Sequence, residues 1–107
     1  MVEAATVTAV RRYLQILPPY GIHPSRAILY GSCVRGDTHE WSDIDVVVIA
    51  PEFDTDKSVE RRQDLWEACL AADHRIEPIG CGVEEWENNQ SRLILEIAKR
   101  EGIEIAA

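Results

Sequence analysis

The chain has 107 residues, 46% of them hydrophobic, and a net charge of −8, which fits one small globular domain over residues 1–107. The acidic balance argues against non-specific binding to nucleic-acid phosphates as its main role. No apolar run approaches the roughly 20 residues that cross a bilayer, and no basic leader precedes the first apolar residues. Three cysteines without C-x-x-C spacing indicate reduced thiols, so we expect a cytoplasmic protein.

Hydrophobic spacing predicts alternating helices and strands along the chain. In chain order, the predicted elements are a helix at Ala4–Leu17, a strand at Arg26–Tyr30, a short helix at Cys33–Arg35, a strand at Ile44–Ala50, a helix at Lys57–Ala72, a strand at His74–Ile79, a helical turn at Val83–Asn88 and a helix at Arg92–Arg100. A short apolar tail follows at Ile103–Ile105. This order predicts an α/β (α+β) sandwich, in which helices pack on a small mixed sheet.

The two later helices have apolar residues that predict which side faces the core. The helix at Lys57–Ala72 is expected to bury Val59, Trp66, Cys69 and Leu70, with its N-cap supplied by residues 54–57. The final helix is expected to bury Leu93, Ile94, Ile97 and Ala98, with Gly102 ending it.

Two aspartates, Asp43 and Asp45, stand at the start of the β-branched run that predicts a central strand. Successive strand residues point to opposite faces, so these two carboxylates project from the same side. Two like charges held this close repel each other, and a folded chain tolerates them only with a cation or protons between them. The pair therefore indicates a divalent metal site.

A third carboxylate, Glu77, lies within another predicted strand between apolar residues. Burying an acid there is costly unless something pairs with it. If the two strands lie side by side, Glu77 faces Asp43 and Asp45, and the three form an oxygen-rich site suited to Mg²⁺. The alternative is a residue at the rim of the strand, or an ion pair with Arg75.

The turn at Gly31 and Ser32 lies between a predicted strand and a predicted helix start. Glycine lets the backbone approach a ligand closely, and exposed N–H groups at a helix N-terminus attract phosphate oxygens. Arg35 adds a guanidinium suited to phosphate, although it could instead pair with Asp37. Trp41 could stack on a base or shield the loop. Taken alone, this stretch is most simply a structural turn, and a phosphate-binding turn is the alternative.

The stretches G-S-C-V-R-G-D and S-D-I-D-V-V-V, at residues 31–37 and 42–48, resemble the motif of the DNA polymerase β-type nucleotidyltransferase superfamily. They are most similar to its small stand-alone members, the minimal nucleotidyltransferases. The resemblance implies a nucleotidyltransferase fold in which Gly31 and Ser32 hold the nucleotide's phosphates. It also implies that Asp43 and Asp45 bind two Mg²⁺ ions, and that Glu77 completes the site of one ion.

The same resemblance implies transfer of AMP from ATP to an acceptor hydroxyl. Small members of the family are often paired with an HEPN-domain toxin, for which they serve as the antitoxin and which they adenylylate. Because one small domain leaves no room for a separate acceptor-binding domain, we expect the acceptor to lie on a macromolecule or a partner protein. The alternative function is a non-catalytic binding module that neutralises a partner toxin by forming a complex.

Overall fold

The computed structural model describes residues 3–36, 43–88 and 92–107. Its helices and strands are, in chain order, α1 (Ala4–Ile16), a 3₁₀ turn (Pro18–Tyr20), β1 (Arg26–Tyr30), α2 (Ser32–Arg35), β2 (Ile44–Ile49), α3 (Glu52–Thr55), α4 (Val59–Ala72), β3 (Ile76–Cys81), α5 (Val83–Asn88), α6 (Leu93–Glu101) and β4 (Ile103–Ala106). None of the helices in this described part is long and apolar enough to span a membrane.

The four strands form one mixed sheet in the order β3-β2-β1-β4. Strand β1 pairs antiparallel with β2 and β4, whereas β2 and β3 are parallel. Parallel neighbours need a long crossover connection, and α3 with α4 provides it here. Strand β2 is therefore central, as its continuous apolar run predicts.

Helices cover both faces of the sheet, which confirms the predicted sandwich. One face packs against α1 and α4, and its strand residues include Ala27, Leu29, Ile44, Val46 and Val48. The other face packs against α5 and α6, and its buried residues include Ile28, Val47, Ile49, Trp86 and Leu95. The alternation of side chains along each strand separates these two layers.

Helix α1 is the amphipathic helix that the apolar spacing predicts. Val10, Tyr13 and Leu14 are buried, and the Tyr13 hydroxyl donates a hydrogen bond to the Leu65 carbonyl at 2.8 Å. The helix ends just before the two prolines, which cannot continue it, and Gly21 reverses the chain at a φ of 83°.

The predicted buried face of α4 is wrong in three of its four residues. Val59, Trp66 and Leu70 are 61%, 50% and 81% exposed, and only Cys69 is buried. The core side instead carries Leu65, Ala68 and Cys69. These include small side chains, which let α4 pack closely against α1 and β3.

The N-terminus of α4 also differs from the prediction. Its N-cap is Ser58, whose hydroxyl accepts a hydrogen bond from the Arg61 N–H at 3.2 Å. Asp54, one of the predicted caps, lies in α3 and accepts hydrogen bonds from the N–H groups of Glu84 and Glu85 at 3.1 and 3.3 Å. The carboxylate of Asp54 therefore caps α5 rather than α4.

The C-terminal part of the structure differs from the sequence prediction in two respects. In α6, Ala98 is buried and Ile94 packs against the core, as predicted, but Leu95 is also buried and Leu93 is 71% exposed, so the buried face is shifted from the predicted one. The apolar tail is a fourth strand, because Ile103 and Ile105 pair with Leu29 and Ala27 of β1. Backbone pairing with an open sheet edge, which no local pattern signals, explains why this strand is absent from the prediction.

Candidate active site

Three carboxylates meet at one end of the β2–β3 pair. Asp43 directly precedes β2, and Asp45 is its second residue. In the parallel register Asp45 is paired with Glu77 of β3, so their side chains project from the same face of the sheet. Neighbouring strands lie about 4.8 Å apart, which places the two carboxylates within reach of each other. The structure therefore brings together the three acids that the sequence singles out.

Asp45 and Glu77 both have raised pKa values in this cluster. Burial, followed by repulsion from Asp43, raises the pKa of Asp45, while the Arg35 guanidinium lowers it. Burial, followed by the nearby side chains of Asp43 and Asp45, raises the pKa of Glu77. The ionised forms of Asp45 and Glu77 are thus disfavoured, and a cation beside them would relieve the repulsion.

The donor set suits a hard divalent cation, because all of its donors are carboxylate oxygens. Across residues 3–36, 43–88 and 92–107, however, no group of three or more His, Cys, Asp or Glu side chains has an arrangement that could hold a metal ion. The chemistry of Asp43, Asp45 and Glu77 therefore fits a metal site whose side chains must reorient around the ion.

The backbone of Gly31 lies close to the Asp45 carboxylate. Its φ is 78°, and a Cβ built there would lie 2.5 Å from Asp45 Oδ2. Any other residue would be strained by its backbone and would collide with the carboxylate. The motif glycine is therefore required by the close approach of the turn to the acids.

Helix α2 begins immediately beside these acids, with Gly31 as its N-cap and Ser32 as its first residue. The Gly31 carbonyl accepts the N–H groups of Val34 and Arg35 at 3.0 and 3.1 Å, which fixes the turn. The first N–H groups of a helix have no partner within it and can bind anions. The geometry is thus compatible with the predicted phosphate contacts of Gly31 and Ser32.

Arg35 lies between the acids and helix α6. Its Nη1 is 3.4 Å from Glu101 Oε1, a pairing that no local sequence signal indicates because the residues are 66 positions apart. Its charge also acts on Asp45, whose pKa burial raises and Arg35 lowers. The alternative partner Asp37 and the stacking candidate Trp41 lie outside the described residues.

Tyr30 is a neighbour of the site that the sequence interpretation missed. It pairs with Asp45 across β1 and β2, so both side chains lie on the same face. Burial, together with the charges of Asp45 and Glu77, raises the pKa of Tyr30 to about 12. Its position at the end of a strand, directly before Gly31, is the signal that could have identified it.

Three other residues near the site, Arg75, Glu77 and Cys33, can be compared with what the sequence indicates. Arg75 pairs with Asp73 at 3.0 Å, so the alternative ion pair between Arg75 and Glu77 is not the one formed. Glu77 itself is exposed on the edge strand, in agreement with a rim position. Cys33 is buried and its pKa is raised by burial, which fits a packing role.

Comparison with known proteins identifies the family to which the chain belongs. Residues 10–102 match the family described as "Nucleotidyltransferase domain", so the chain belongs to the nucleotidyltransferase domain family of the DNA polymerase β-type superfamily. A crystal structure at 1.40 Å of a Sulfolobus solfataricus protein with a provisional assignment as a nucleotidyltransferase is similar in fold. Its TM-score is 0.58 at 15% identity, with 78% of this chain and 73% of that chain covered. No curated protein matches the sequence significantly.

Proposed function

We propose that the protein transfers AMP from ATP to a hydroxyl group of a partner protein, in a reaction that depends on Mg²⁺. The observation that carries this proposal is the convergence of Asp43, Asp45 and Glu77 beside the turn at Gly31. Membership of the nucleotidyltransferase family supports nucleotidyl transfer as the reaction class.

Asp43 and Asp45 would hold two Mg²⁺ ions, and Glu77 would complete the site of the ion nearer the attacking hydroxyl. When bound, such ions lower the pKa of an attacking hydroxyl and neutralise charge on the leaving pyrophosphate. The raised pKa values of Asp45 and Glu77, due first to burial and then to the neighbouring carboxylates, support a site that favours a cation.

The nucleotide's phosphates would lie at the start of α2. The N–H groups there, the Ser32 hydroxyl and the Arg35 guanidinium would bind phosphate oxygens next to the carboxylates. Glu101 restrains Arg35 from the other side, which reduces the side-chain freedom that binding would otherwise cost. In-line transfer requires mostly such positioning and charge neutralisation.

The proposed acceptor is an HEPN-type toxin, which would make this protein its cytoplasmic antitoxin. The similarity of the motifs at residues 31–37 and 42–48 to minimal nucleotidyltransferases supports this choice. The competing function is a binding module that neutralises the toxin by complex formation alone.

The test is to incubate the purified protein with ATP labelled at its α-phosphate, Mg²⁺ and the HEPN-domain protein. We expect label on that protein, and a loss of about 10²-fold or more in Asp43→Asn and Asp45→Asn. Glu77→Gln should also lose activity, whereas Glu96→Gln, an exposed acid on α6, should behave as wild type.

Two results would contradict the proposed nucleotidyl transfer. If no label is transferred to the partner, and the triple variant of Asp43, Asp45 and Glu77 still silences it at equal dose, the binding module is the function. Wild-type transfer by the Asp45→Asn variant would remove the carboxylates from the mechanism.

A further inference from the structure

The outer face of α4 carries an apolar stripe. Val59, Trp66 and Leu70 are spaced by seven and four residues, so they lie along one side of the helix. All three are at least half exposed. At about 1.5 Å per residue, the stripe extends over roughly 16 Å. Exposed large apolar side chains that form a contiguous surface often mark an interaction site.

Trp66 also borders a groove of about 450 Å³ beside the edge strand β3. Four further apolar residues line this groove: Phe53, Leu65, Pro78 and Ile79. A concave site of this size can enclose a large apolar side chain. The groove and the stripe share Trp66, and we call the two together the α4 surface.

The charge of the groove differs in sign from that of the chain. Lys57 and Arg62 line it, and neither makes an ion pair with any residue in the described part. The two acids of the groove are already engaged, Asp56 by Arg61 at 3.3 Å and Glu85 by Arg92 at 2.9 Å. In a chain of net charge −8, the groove thus presents two unneutralised cations, whose complement is a carboxylate.

The edge of β3 next to the groove is closed to strand addition. Pro78 has no N–H to donate, and the Gly80 carbonyl already accepts a hydrogen bond from Arg92 Nη2 at 2.8 Å. An occupant must therefore bind through its side chains rather than by extending the sheet. A small molecule in the groove would cover Trp66 but leave Val59 and Leu70 exposed, so a protein segment fits the whole surface better.

We propose that the α4 surface docks an acidic segment of a partner protein. One large apolar side chain of that segment enters the groove beside Trp66, and its carboxylates lie near Lys57 and Arg62. The remainder of the segment covers Val59 and Leu70. This inference goes beyond the proposed nucleotidyl transfer and does not depend on it.

The test uses a phage-displayed library of random 12-residue peptides, selected on the immobilised full-length protein. We expect the enriched peptides to share one large apolar residue flanked by Asp or Glu. Synthetic versions are then titrated against the wild type and three variants, with thermal unfolding used to verify that each variant is folded. Trp66→Ala and Arg62→Glu should each weaken binding by at least about tenfold. Ile103→Ala, at an exposed apolar residue on the opposite sheet edge, should leave it unchanged.

Three outcomes would overturn the proposal. One is enrichment of peptides without acidic residues, and another is binding that Trp66→Ala and Arg62→Glu leave intact. The third is concentration-dependent self-association that Trp66→Ala abolishes, which would assign the surface to a second copy of the chain. Asp45→Asn should bind the peptides as the wild type does, so a failed transfer assay leaves this test interpretable.

Discussion

The two faces of strand β2 serve different purposes, although their residues alternate along six positions. Ile44, Val46 and Val48 face α1 and α4, and each is at most 1% exposed. On the opposite face Val47 and Ile49 are equally buried, but Asp45 is only partly covered. The strand is thus fully covered on one side and open at one end of the other.

On the covered face of β2 the side chains stabilise the fold, whereas at the open end the side chains form the candidate active site. The covered face gains free energy from removing apolar area from water. The open end instead gathers carboxylates that repel one another and raise the pKa of Asp45 and Glu77, after the effect of burial. Such a site costs stability locally and persists because the rest of the sheet supports it.

The largest change in the free energy of unfolding is expected at Ile44, next to Asp45 in β2. Ile44→Ala should lower the free energy of unfolding by about 2–5 kcal/mol, because it leaves a cavity in the covered core. Asp45→Ala should cost far less, because its side chain is partly solvated and repelled by Asp43. Urea denaturation measures both, and equal losses would contradict the division of the strand into two roles.

An intermediate effect compares two glycines of positive φ, Gly31 at 78° and Gly36 at 85°. Alanine at either position should cost roughly 1–3 kcal/mol of backbone strain. Gly31→Ala should cost more than Gly36→Ala, because its Cβ meets the Asp45 carboxylate, whereas the Gly36 Cβ meets no atom of the described residues within 4 Å. Thermal unfolding of both variants measures the difference.

A double variant sharpens this comparison. Adding Asp45→Ala to Gly31→Ala should recover part of the extra loss, since it removes the colliding oxygen. Simple additivity of the two substitutions would show that the close approach of Gly31 to Asp45 carries no energy.

The smallest expected effect concerns pH. Burial and repulsion raise the pKa of Asp45 in the folded state, so its contribution favours folding at low pH and is lost as the pH rises through that value. Without divalent cations, Asp45→Asn should therefore unfold at a higher temperature than the wild type at pH 7. The gain should disappear near pH 3, and it should stay below about 1 kcal/mol because the carboxylate is partly solvated.

Adding Mg²⁺ tests the same carboxylates through the melting temperature. Because a ligand that binds only the folded state stabilises it, Mg²⁺ should raise the melting temperature of the wild type and not that of Asp45→Asn. An equal rise in both proteins would indicate that the cation binds elsewhere.

Local patterns predict much of this fold. The bounds of β1 coincide with the apolar run at Arg26–Tyr30, and α1, β2 and α5 lie within a residue or two of their predicted limits. Turn residues explain this agreement, because Pro18 and Gly31 fix where the chain can no longer continue its helix or strand. Such signals act over a few residues and need no tertiary contact.

The buried face of α4 could not be predicted in this way. Apolar residues lie on two sides of that helix, and the side with the larger side chains, including Trp66 and Leu70, faces solvent. The chosen side carries Ala68 and Cys69, which fit beneath α1 and β3. Only the shape of the neighbouring elements selects between two apolar faces.

The candidate site could be located from local sequence, because two aspartates at the start of a strand, next to a glycine turn, repel each other unless a cation or proton lies between them. Which distant residues join these aspartates depends on tertiary contacts. Parallel pairing of β2 with β3 brings Glu77 opposite Asp45, and the packing of α6 brings Glu101 to Arg35. Strand register and helix packing depend on the whole core, which no short stretch of sequence contains.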